Sequence, residues 1–296
     1  MKIVIGTRGS KLALVQSRAV AQMLYSAGAD VEIRPIRTVG DTLDVALTEL
    51  GGKGVFVKEI DDALLSGDID CAVHSMKDVP SSLPAGIGIA AVPAREDARD
   101  SFVSTLAFKL TGLPKGARVG TSSPRRRAQI FRIRPDLKVL PMRGNVETRL
   151  KKLGAGEVDA VILAAAGLKR LGIESVITEL LPTDRMIPAI GQGALAVAVR
   201  RNDRERLAFV SKVCHNAATG LAVRAERTIL KALGGDCHTP LAAHAEIRPS
   251  GIFISAFMAT KDEARAVVEH ESGPADQAAE IGKRLADKVA EKLGCK

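Results

Sequence analysis

The sequence predicts an α/β fold followed by a smaller α+β appendage. Three observations support this prediction: a length of 296 residues, an alternation of short β-rich runs with amphipathic helical patterns, and a change of pattern after about residue 215. A chain of this length usually contains two or three domains. Alternating strands and helices are typical of sheets that helices cover.

The first series of elements lies in the N-terminal part of the chain. The predicted elements, in order, are a strand at 2–5, a helix at 12–27, a strand at 31–36, a helix at 57–65 and a strand at 71–74. Gly28 and Gly67 follow the two helices, and glycine is common just after a helix. The polar stretch 93–100 then predicts a connection between two lobes.

A second series of elements follows and predicts another sheet. Its elements are strands at 117–120, 137–140 and 159–164 and helices at 124–133, 146–153 and 165–171. Residues 187–193 contain a proline and two glycines, so they predict a second connection. The appendage is predicted as a helix at 217–233, strands at 242–247, 252–259 and 266–270, and a closing helix at 275–293.

These patterns divide the chain into three expected domains. Residues 1–95 with 190–213 form the first lobe, and residues 96–189 form the second. Residues 214–296 form the C-terminal α+β domain.

The composition favours a soluble protein that binds small anions. Lys and Arg number 43 against 34 Asp and Glu, for a formal net charge of +9. Only 3% of residues are aromatic, whereas proteins that bind single-stranded nucleic acid use stacking rings, so small polyanions are the better partners. No window approaches the roughly 18 apolar residues of a membrane-spanning helix, and the N-terminus shows no secretory signal. We therefore expect a cytoplasmic protein with no membrane or nucleic-acid partner.

The four cysteines, Cys71, Cys214, Cys237 and Cys295, lie far apart, with no Cys-x-x-Cys pair. We expect neither a disulfide framework nor a metal site. Cys237 differs from Cys71 because two glycines and an aspartate precede it and a proline follows soon after, which predicts a tightly shaped loop. Such a thiol is either an inert free cysteine or a nucleophile or attachment point.

Two segments repeat one pattern, in which a strand runs through Gly-Thr to a serine before a helix. They are Gly6-Thr7 with Ser10 and Gly120-Thr121 with Ser123. Each places free helix N–H groups at the carboxyl end of a strand, where open α/β sheets bind ligands and anions. The alternative is two ordinary serine N-caps without a ligand.

Three arginines, Arg125, Arg126 and Arg127, follow Ser123-Pro124 at the predicted helix start. Cations in a first turn oppose the helix dipole, so something local must offset their cost. A bound polycarboxylate satisfies this requirement through bidentate contacts. The alternative is a solvated basic face.

The segment from His74 to Pro80 contains Lys77 and Asp78 just after an apolar strand. Because Pro80 blocks a helix, both charged residues are expected on a loop at the ligand edge of the sheet, either in a site or in a solvated turn. His74, at the strand end, is expected to be a hydrogen-bonded core histidine.

Residues 51–54, Gly-Gly-Lys-Gly, lack the pattern of a phosphate loop, so nucleotide binding is not expected there. Residues 40–58 are polar and rich in glycine. They predict a mobile cover over an active site or an ordinary long loop.

Taken in order, these segments resemble the porphobilinogen deaminase family, also called hydroxymethylbilane synthases. The matching segments are Gly6-Thr7-Arg8 with Ser10, and residues 51–58, 73–80, 120–126, 142–149, 166–171, 188–194 and 235–240. The resemblance implies two lobes like those of periplasmic binding proteins, which enclose a cleft, and a third domain that carries a dipyrromethane cofactor on a cysteine. It also implies the head-to-tail condensation of four porphobilinogens with loss of ammonia and the release of hydroxymethylbilane in tetrapyrrole biosynthesis. We expect a monomer.

The resemblance also implies roles for individual residues. Asp78 corresponds to the catalytic carboxylate, which would be buried beside the pyrrole N–H to stabilise a cationic azafulvene. The cofactor side comprises the attachment residue Cys237 with Lys77, Asp78, Ser123, Arg125, Arg126 and Arg149. The substrate side comprises Arg8, Ser10, Gln16, Lys53, Thr121, Arg143 and Arg170. Glu49 and Asp236 depart from residues that are common in the family, which leaves their consequences open.

Two other classes of protein share some of these features. A non-catalytic binding protein for an anionic ligand would have the lobes and the arginines, but it would need neither Cys237 nor the third domain. A nucleic-acid-binding protein would explain the charge, but its cations should lie along one face and not at strand ends.

Overall fold

The computed structural model describes residues 1–38, 57–106, 108–235 and 239–294. Two compact units are present, residues 1–96 with 194–223 and residues 97–193 with 224–296. The chain passes from one unit to the other after residues 96, 193 and 223. The passage after residue 96 lies in the predicted connection 93–100. The passage after residue 193 lies at the end of the predicted connection 187–193. The division into three domains stays a prediction.

The strands and helices of the described residues are numbered in chain order. They are β1 (Lys2–Arg8), α1 (Lys11–Ser26), β2 (Asp30–Ile36), α2 (Lys58–Ser66), β3 (Cys71–Ser75), β4 (Ile87–Ala91), β5 (Asp100–Ser104), β6 (Arg118–Gly120), α3 (Pro124–Ile133), β7 (Lys138–Leu140), α4 (Val146–Gly154), β8 (Ala160–Ala164), α5 (Ala165–Arg170), β9 (Glu179–Leu181), β10 (Leu195–Arg200), α6 (Arg204–Cys214), α7 (Ala217–Ala232), β11 (Leu241–Arg248), β12 (Gly251–Ala259), β13 (Ala266–Gly273) and α8 (Ala278–Leu293). The predicted elements are present to within a few residues, and α3 has the predicted bounds. The elements β4, β5, β9, β10 and α6 were not predicted.

The first unit is built on a five-stranded sheet with the order β2-β1-β3-β10-β4. Strands β1, β2 and β3 are parallel, and β10 runs antiparallel to both β3 and β4. Val20 of α1 and Val210 of α6 are buried against one face of this sheet. Ile60 and Leu64 of α2 are buried against the other face. A sheet with helices on both faces fits the predicted α/β class.

The second unit contains another five-stranded sheet, with the order β7-β6-β8-β5-β9. Strand β6 is parallel to β7 and β8, whereas β5 is antiparallel to β8 and β9. Ile130 of α3 packs in the cluster on one face. Leu153 of α4 and Leu168 of α5 pack in a cluster that contains Val161 and Leu163 of β8. The α/β fold class is therefore confirmed.

A smaller antiparallel sheet, β11-β12-β13, also belongs to the second unit. Helix α8 packs on it through Ile281, Leu285 and Val289, which are fully buried and spaced four residues apart. A Cβ atom on Gly282 would lie 2.6 Å from the Ala225 carbonyl oxygen, so glycine permits the close approach of α7 and α8. This part agrees with the predicted α+β appendage. No helix of the described residues is long and apolar enough to cross a membrane.

Candidate active site

The first unit has a pocket at the carboxyl ends of β1 and β3. Four of the predicted site residues line it, namely Arg8, Ser10, Gln16 and Asp78, together with Leu12, Ala13, Val57, Val73, His74 and Ser75. Strand β1 ends at Arg8 and α1 begins three residues later, so strand end and helix start meet here. The sequence places a ligand site at this edge, and the structure gathers the residues there.

The start of α1 brings partial positive charge to this pocket. The Ser10 hydroxyl accepts a hydrogen bond from the backbone N–H of Ala13 at 3.3 Å, and the first turn contains no acidic residue. The predicted N-cap is thus present, and the half-buried Arg8 adds a charge beside it. Gln16 is buried and exchanges hydrogen bonds with Ser75, at 2.9 Å from its Nε2 and 3.2 Å to its Oε1.

Asp78 lies at the rim of the pocket because β3 leads directly into a short 3₁₀ turn, Met76–Asp78. The turn ends where Val79 adopts an extended backbone before Pro80, the conformation that a residue before proline favours. Asp78 and Lys77 are both exposed. The expectation of a buried carboxylate is therefore wrong, because Asp78 is exposed at the end of this short turn.

His74 is buried on β3, with 7% of its surface exposed, yet its Nε2 atom has no hydrogen-bond partner in the described part of the chain. The expectation of a fully hydrogen-bonded core histidine is therefore wrong in this respect. Burial, together with the nearby Arg8 charge, lowers the pKa of His74 to about 4. The imidazole is consequently neutral at neutral pH.

We expect His74 to make folding stability fall as the pH drops from about 6.5 to about 4. In this window the unfolded chain binds a proton at His74 and the folded chain does not, so protons favour unfolding. Burial raises the pKa of Asp61 to about 6, which acts in the opposite direction. The measurement is therefore a difference: urea unfolding of the parent and of His74→Phe at pH 4.5 and pH 7. An equal loss of stability on acidification in both proteins would contradict the pKa of His74.

In the second unit, Arg125 and Arg126 of α3 converge on one buried carboxylate, Asp100, the first residue of β5. Arg125 Nη1 lies 2.7 Å from Asp100 Oδ2, and Arg126 Nη2 lies 2.7 Å from Oδ1. The side chains of Arg125 and Arg126 are 5% and 7% exposed, and that of Asp100 is 0% exposed. Burial raises the pKa of Asp100, but the two arginine charges outweigh this effect and hold that pKa well below its ordinary range.

The charge of the basic helix start is therefore compensated in part from within the protein. Asp100 offsets one of the two buried arginine charges, and the burial of Arg125 and Arg126 shows that they do not form a solvated basic face. Arg127 is the exposed member of the run, and it pairs with Glu263 at 3.2 Å and lies over the ring of Phe131.

The other predicted residues of the second unit lie at nearby strand and helix ends. The Ser123 hydroxyl caps α3 by accepting a hydrogen bond from the backbone N–H of Arg126 at 3.4 Å. Thr121 is buried, and its hydroxyl accepts a bond from the Ser123 backbone N–H. Arg143 is exposed after β7, and Arg170, in α5, donates to the Gly193 carbonyl oxygen at 2.8 Å.

Two models of one protein family match this chain. The model described as porphobilinogen deaminase, dipyromethane cofactor binding domain, covers residues 3–208. The model of the porphobilinogen deaminase C-terminal domain covers residues 220–291. The chain belongs to the porphobilinogen deaminase family. The resemblance predicted from the sequence is confirmed.

Curated relatives agree with this assignment along almost the whole chain. The porphobilinogen deaminase of Geobacter sulfurreducens is 48% identical over 291 residues, which cover 96% of this chain and 90% of that protein. The porphobilinogen deaminase of Rubrobacter xylanophilus is 46% identical over 292 residues, covering 98% and 94%. A member of this family is a transferase of tetrapyrrole biosynthesis, with a dipyrromethane cofactor.

Among solved structures, the methionine binding protein MetQ is similar with a TM-score of 0.46 and 12% identity, over 72% of this chain and 89% of that one. The BvgS VFT2 domain of Bordetella pertussis gives a TM-score of 0.45 and 17% identity, over 77% and 91%. At these values the likeness says nothing about ligand or activity.

The arginines of the second unit fit a cofactor rich in carboxylates. Burial and the Arg126 charge lower the pKa of the half-buried Arg149 to about 10. Asp100 supplies one negative charge against the two of Arg125 and Arg126, so positive charge is in excess before Arg149 is counted. Carboxylates that bind here would relieve this repulsion.

Two predicted residues, Cys237 and Lys53, lie outside the described residues, as do Glu49, Asp236 and most of the predicted cover at 40–58. Their roles stay predictions.

Sequence reasoning missed Asp100 and Gln192. The Gln192 Nε2 atom donates to Asp100 Oδ1 at 2.9 Å and to the Ala98 carbonyl oxygen at 2.8 Å. The signal for Asp100 was the requirement for an anion near three first-turn arginines. Gln192 gave no such signal, because an amide in a glycine-rich segment has no unbalanced charge.

Proposed function

We propose that the condensation of four porphobilinogens is carried out at the pocket of the first unit, with Asp78 as the catalytic carboxylate. The observation that supports this proposal is the placement of Asp78 on the same pocket as Arg8, Ser10 and Gln16. The pocket thus has one carboxylate that can face a cation. It also has a guanidinium group and a helix start that can bind anions. Porphobilinogen requires both, because its acetate and propionate are anionic and its loss of ammonia leaves a cation.

Arg8, Gln16 and Asp78 have distinct parts in this proposal. Arg8 and the start of α1 hold the substrate carboxylates, since a guanidinium and free helix N–H groups both bind them. Gln16, which Ser75 orients, adds an amide for hydrogen bonding. The Asp78 carboxylate accepts the pyrrole N–H and stabilises the positive charge that develops on the ring.

The second unit would hold the dipyrromethane cofactor through its basic side chains. When bound, the cofactor supplies the primer to which the pyrrole units are joined. Ser123, Arg125, Arg126 and Arg149 are the proposed contacts, and Arg149, at the first turn of α4, is the half-buried arginine with the lowered pKa. Because Asp100 already engages Arg125 and Arg126, we propose that these two act mainly through their excess charge. Thr121, Arg143 and Arg170 are proposed for the growing chain.

The remaining assignments extend the proposal by resemblance. Cys237 attaches the cofactor, Lys77 contacts it, and Lys53 contacts the substrate. The three-domain division, a monomeric state and a cytoplasmic location are further parts of the proposal. Sedimentation and cell fractionation test the last two.

The described cysteines support Cys237 as the attachment residue. Cys71 and Cys214 are buried in the apolar cluster of the first unit. Burial raises the pKa of both thiols, that of Cys214 to about 11. Because the thiolate is the reactive form, neither is a good nucleophile.

We expect Cys237→Ala to fold but to carry no dipyrromethane, because alanine offers no sulfur for the thioether. The measurement is the intact mass of the purified protein, with Cys214→Ala and Cys295→Ala as matched controls that should keep the adduct. The full adduct mass on Cys237→Ala would end the assignment. A parent protein without any adduct would end the proposed function as a whole.

A further inference from the structure

The buried His74 imidazole lies beside Arg8 on the face of the sheet that α2 covers. Strand β1 pairs with β3 so that Ile5 is opposite Cys71 and Gly6 is opposite Ala72. Carried two residues further, this parallel register places Arg8 beside His74, on the same face as Ala72. Ala72 belongs to the cluster that includes Ile60 and Leu64 of α2, and Arg8 and His74 line the same pocket.

None of the residues that the structure describes forms a hydrogen bond with the Nε2 atom of His74. A buried polar atom without a hydrogen bond costs stability, so such an atom in a pocket requires an explanation. Arg8 has only donors, Gln16 and Ser75 bond to each other, and Val57 and Val73 are apolar. In the tautomer that carries its proton on Nε2, the missing partner is an acceptor that enters the pocket, and the adjacent guanidinium favours an anionic one.

We propose that His74 binds the substrate: its neutral imidazole donates a hydrogen bond from Nε2 to a porphobilinogen carboxylate that Arg8 holds. A carboxylate has two oxygens, so it engages both groups at once. The bond also removes the cost of the unpartnered atom. This inference rests on the proposed function, because it takes porphobilinogen as the occupant of the pocket.

The test compares the steady-state kinetics of three variants with the parent, on protein whose adduct mass is confirmed. His74→Phe keeps a flat ring and removes the donor, so KM should rise about tenfold or more with kcat little changed. His74→Gln places an amide nitrogen near the Nε2 position and should restore part of the affinity. Ser17→Ala is the matched control, because the Ser17 hydroxyl is also buried with no partner among the described residues of this unit, but it does not line the pocket.

Thermal unfolding gives the second signature of the proposal. Removing an unpartnered polar atom should leave the free protein at least as stable, for both His74→Phe and Ser17→Ala. Only His74→Phe should raise KM. A KM of His74→Phe within twofold of the parent, or an equal rise for Ser17→Ala, would overturn the inference.

A measurement on the unsubstituted protein covers the case in which His74→Phe does not fold. The imidazole nitrogens of ¹⁵N-histidine-labelled protein are observed by NMR during titration with an inert porphobilinogen analogue that has methyl in place of aminomethyl. The Nε2 resonance of His74 should shift on binding, and saturation with no shift would overturn the inference. Parent protein that carries the adduct and turns over porphobilinogen keeps the proposed function intact when His74 fails this test.

Discussion

Asp78→Asn should lower the turnover of porphobilinogen by about 10²–10³-fold, because a preorganised charge opposite a developing charge contributes this much to a rate. Asparagine keeps the shape of the side chain and can still accept a hydrogen bond. It removes only the negative charge. Since each condensation passes through a cationic pyrrole, the loss applies at every step of chain growth.

The structure separates this effect from a loss of stability. Asp78 is exposed at the end of a short turn, and exposed substitutions usually change unfolding free energy by less than about 0.5 kcal/mol. Asp30 is also exposed in the same unit, at the start of β2, so Asp30→Asn is the matched control. Single-turnover rates are measured on protein whose adduct mass is confirmed.

A second substitution at Asp78 separates charge from packing. Asp78→Glu keeps the charge and moves it by one methylene, so it should be impaired but faster than Asp78→Asn. An Asp78→Asn rate within a few-fold of the parent would favour a solvated turn for Lys77 and Asp78. Equal rates for the Glu and Asn variants would show that position matters more than charge.

The sequence predicted the elements that local signals define. Ser123 and Pro124 mark the start of α3, and the glycines mark the ends of α1 and α2, so these helices match closely. Strands β5 and β10 were missed because their partners are distant in the chain. Leu195 of β10, for example, pairs with Ser75 of β3.

The sequence predicted which residues lie at the site better than it predicted their burial and hydrogen bonds. Chemical patterns such as Gly-Thr-Arg and Lys-Asp place residues at strand ends, where the structure finds Arg8 and Asp78. The exposure of Asp78 and the unpartnered Nε2 of His74 depend on which groups face them across the fold. A linear pattern contains no such information.

The buried cluster around Asp100 shows the same limit, and it leads to the largest expected effect on stability. Asp100 accepts hydrogen bonds from Arg125, Arg126 and Gln192, and all four side chains are buried. Removing one partner of a buried ion pair leaves charge without compensation, which costs about 3–5 kcal/mol. Asp100→Asn leaves two such cations, so we expect a loss at the upper end of that range.

Urea unfolding measures this loss in the free energy of unfolding. Circular dichroism is the signal, because a chain with no tryptophan and one tyrosine gives little fluorescence change. Glu32→Gln is the control, because Glu32 pairs at 2.6 Å with Arg34 and the two side chains are 40% and 45% exposed. An exposed pair of this kind contributes little to the free energy of unfolding. Similar losses for the two variants would show that burial does not strengthen the Asp100 cluster.

A double variant tests whether uncompensated charge causes the loss at Asp100. Adding Arg126→Met to Asp100→Asn removes one of the two stranded cations, so the double variant should be more stable than Asp100→Asn alone. Arg126→Met alone leaves Asp100 paired with Arg125 and should cost less. Asp100 and Arg126 are in direct contact, so the effects of the two substitutions on the free energy of unfolding should be strongly non-additive. Simple additivity would mean that the arginines neither require nor compensate Asp100, and the charge argument for the cofactor side would then lose its basis.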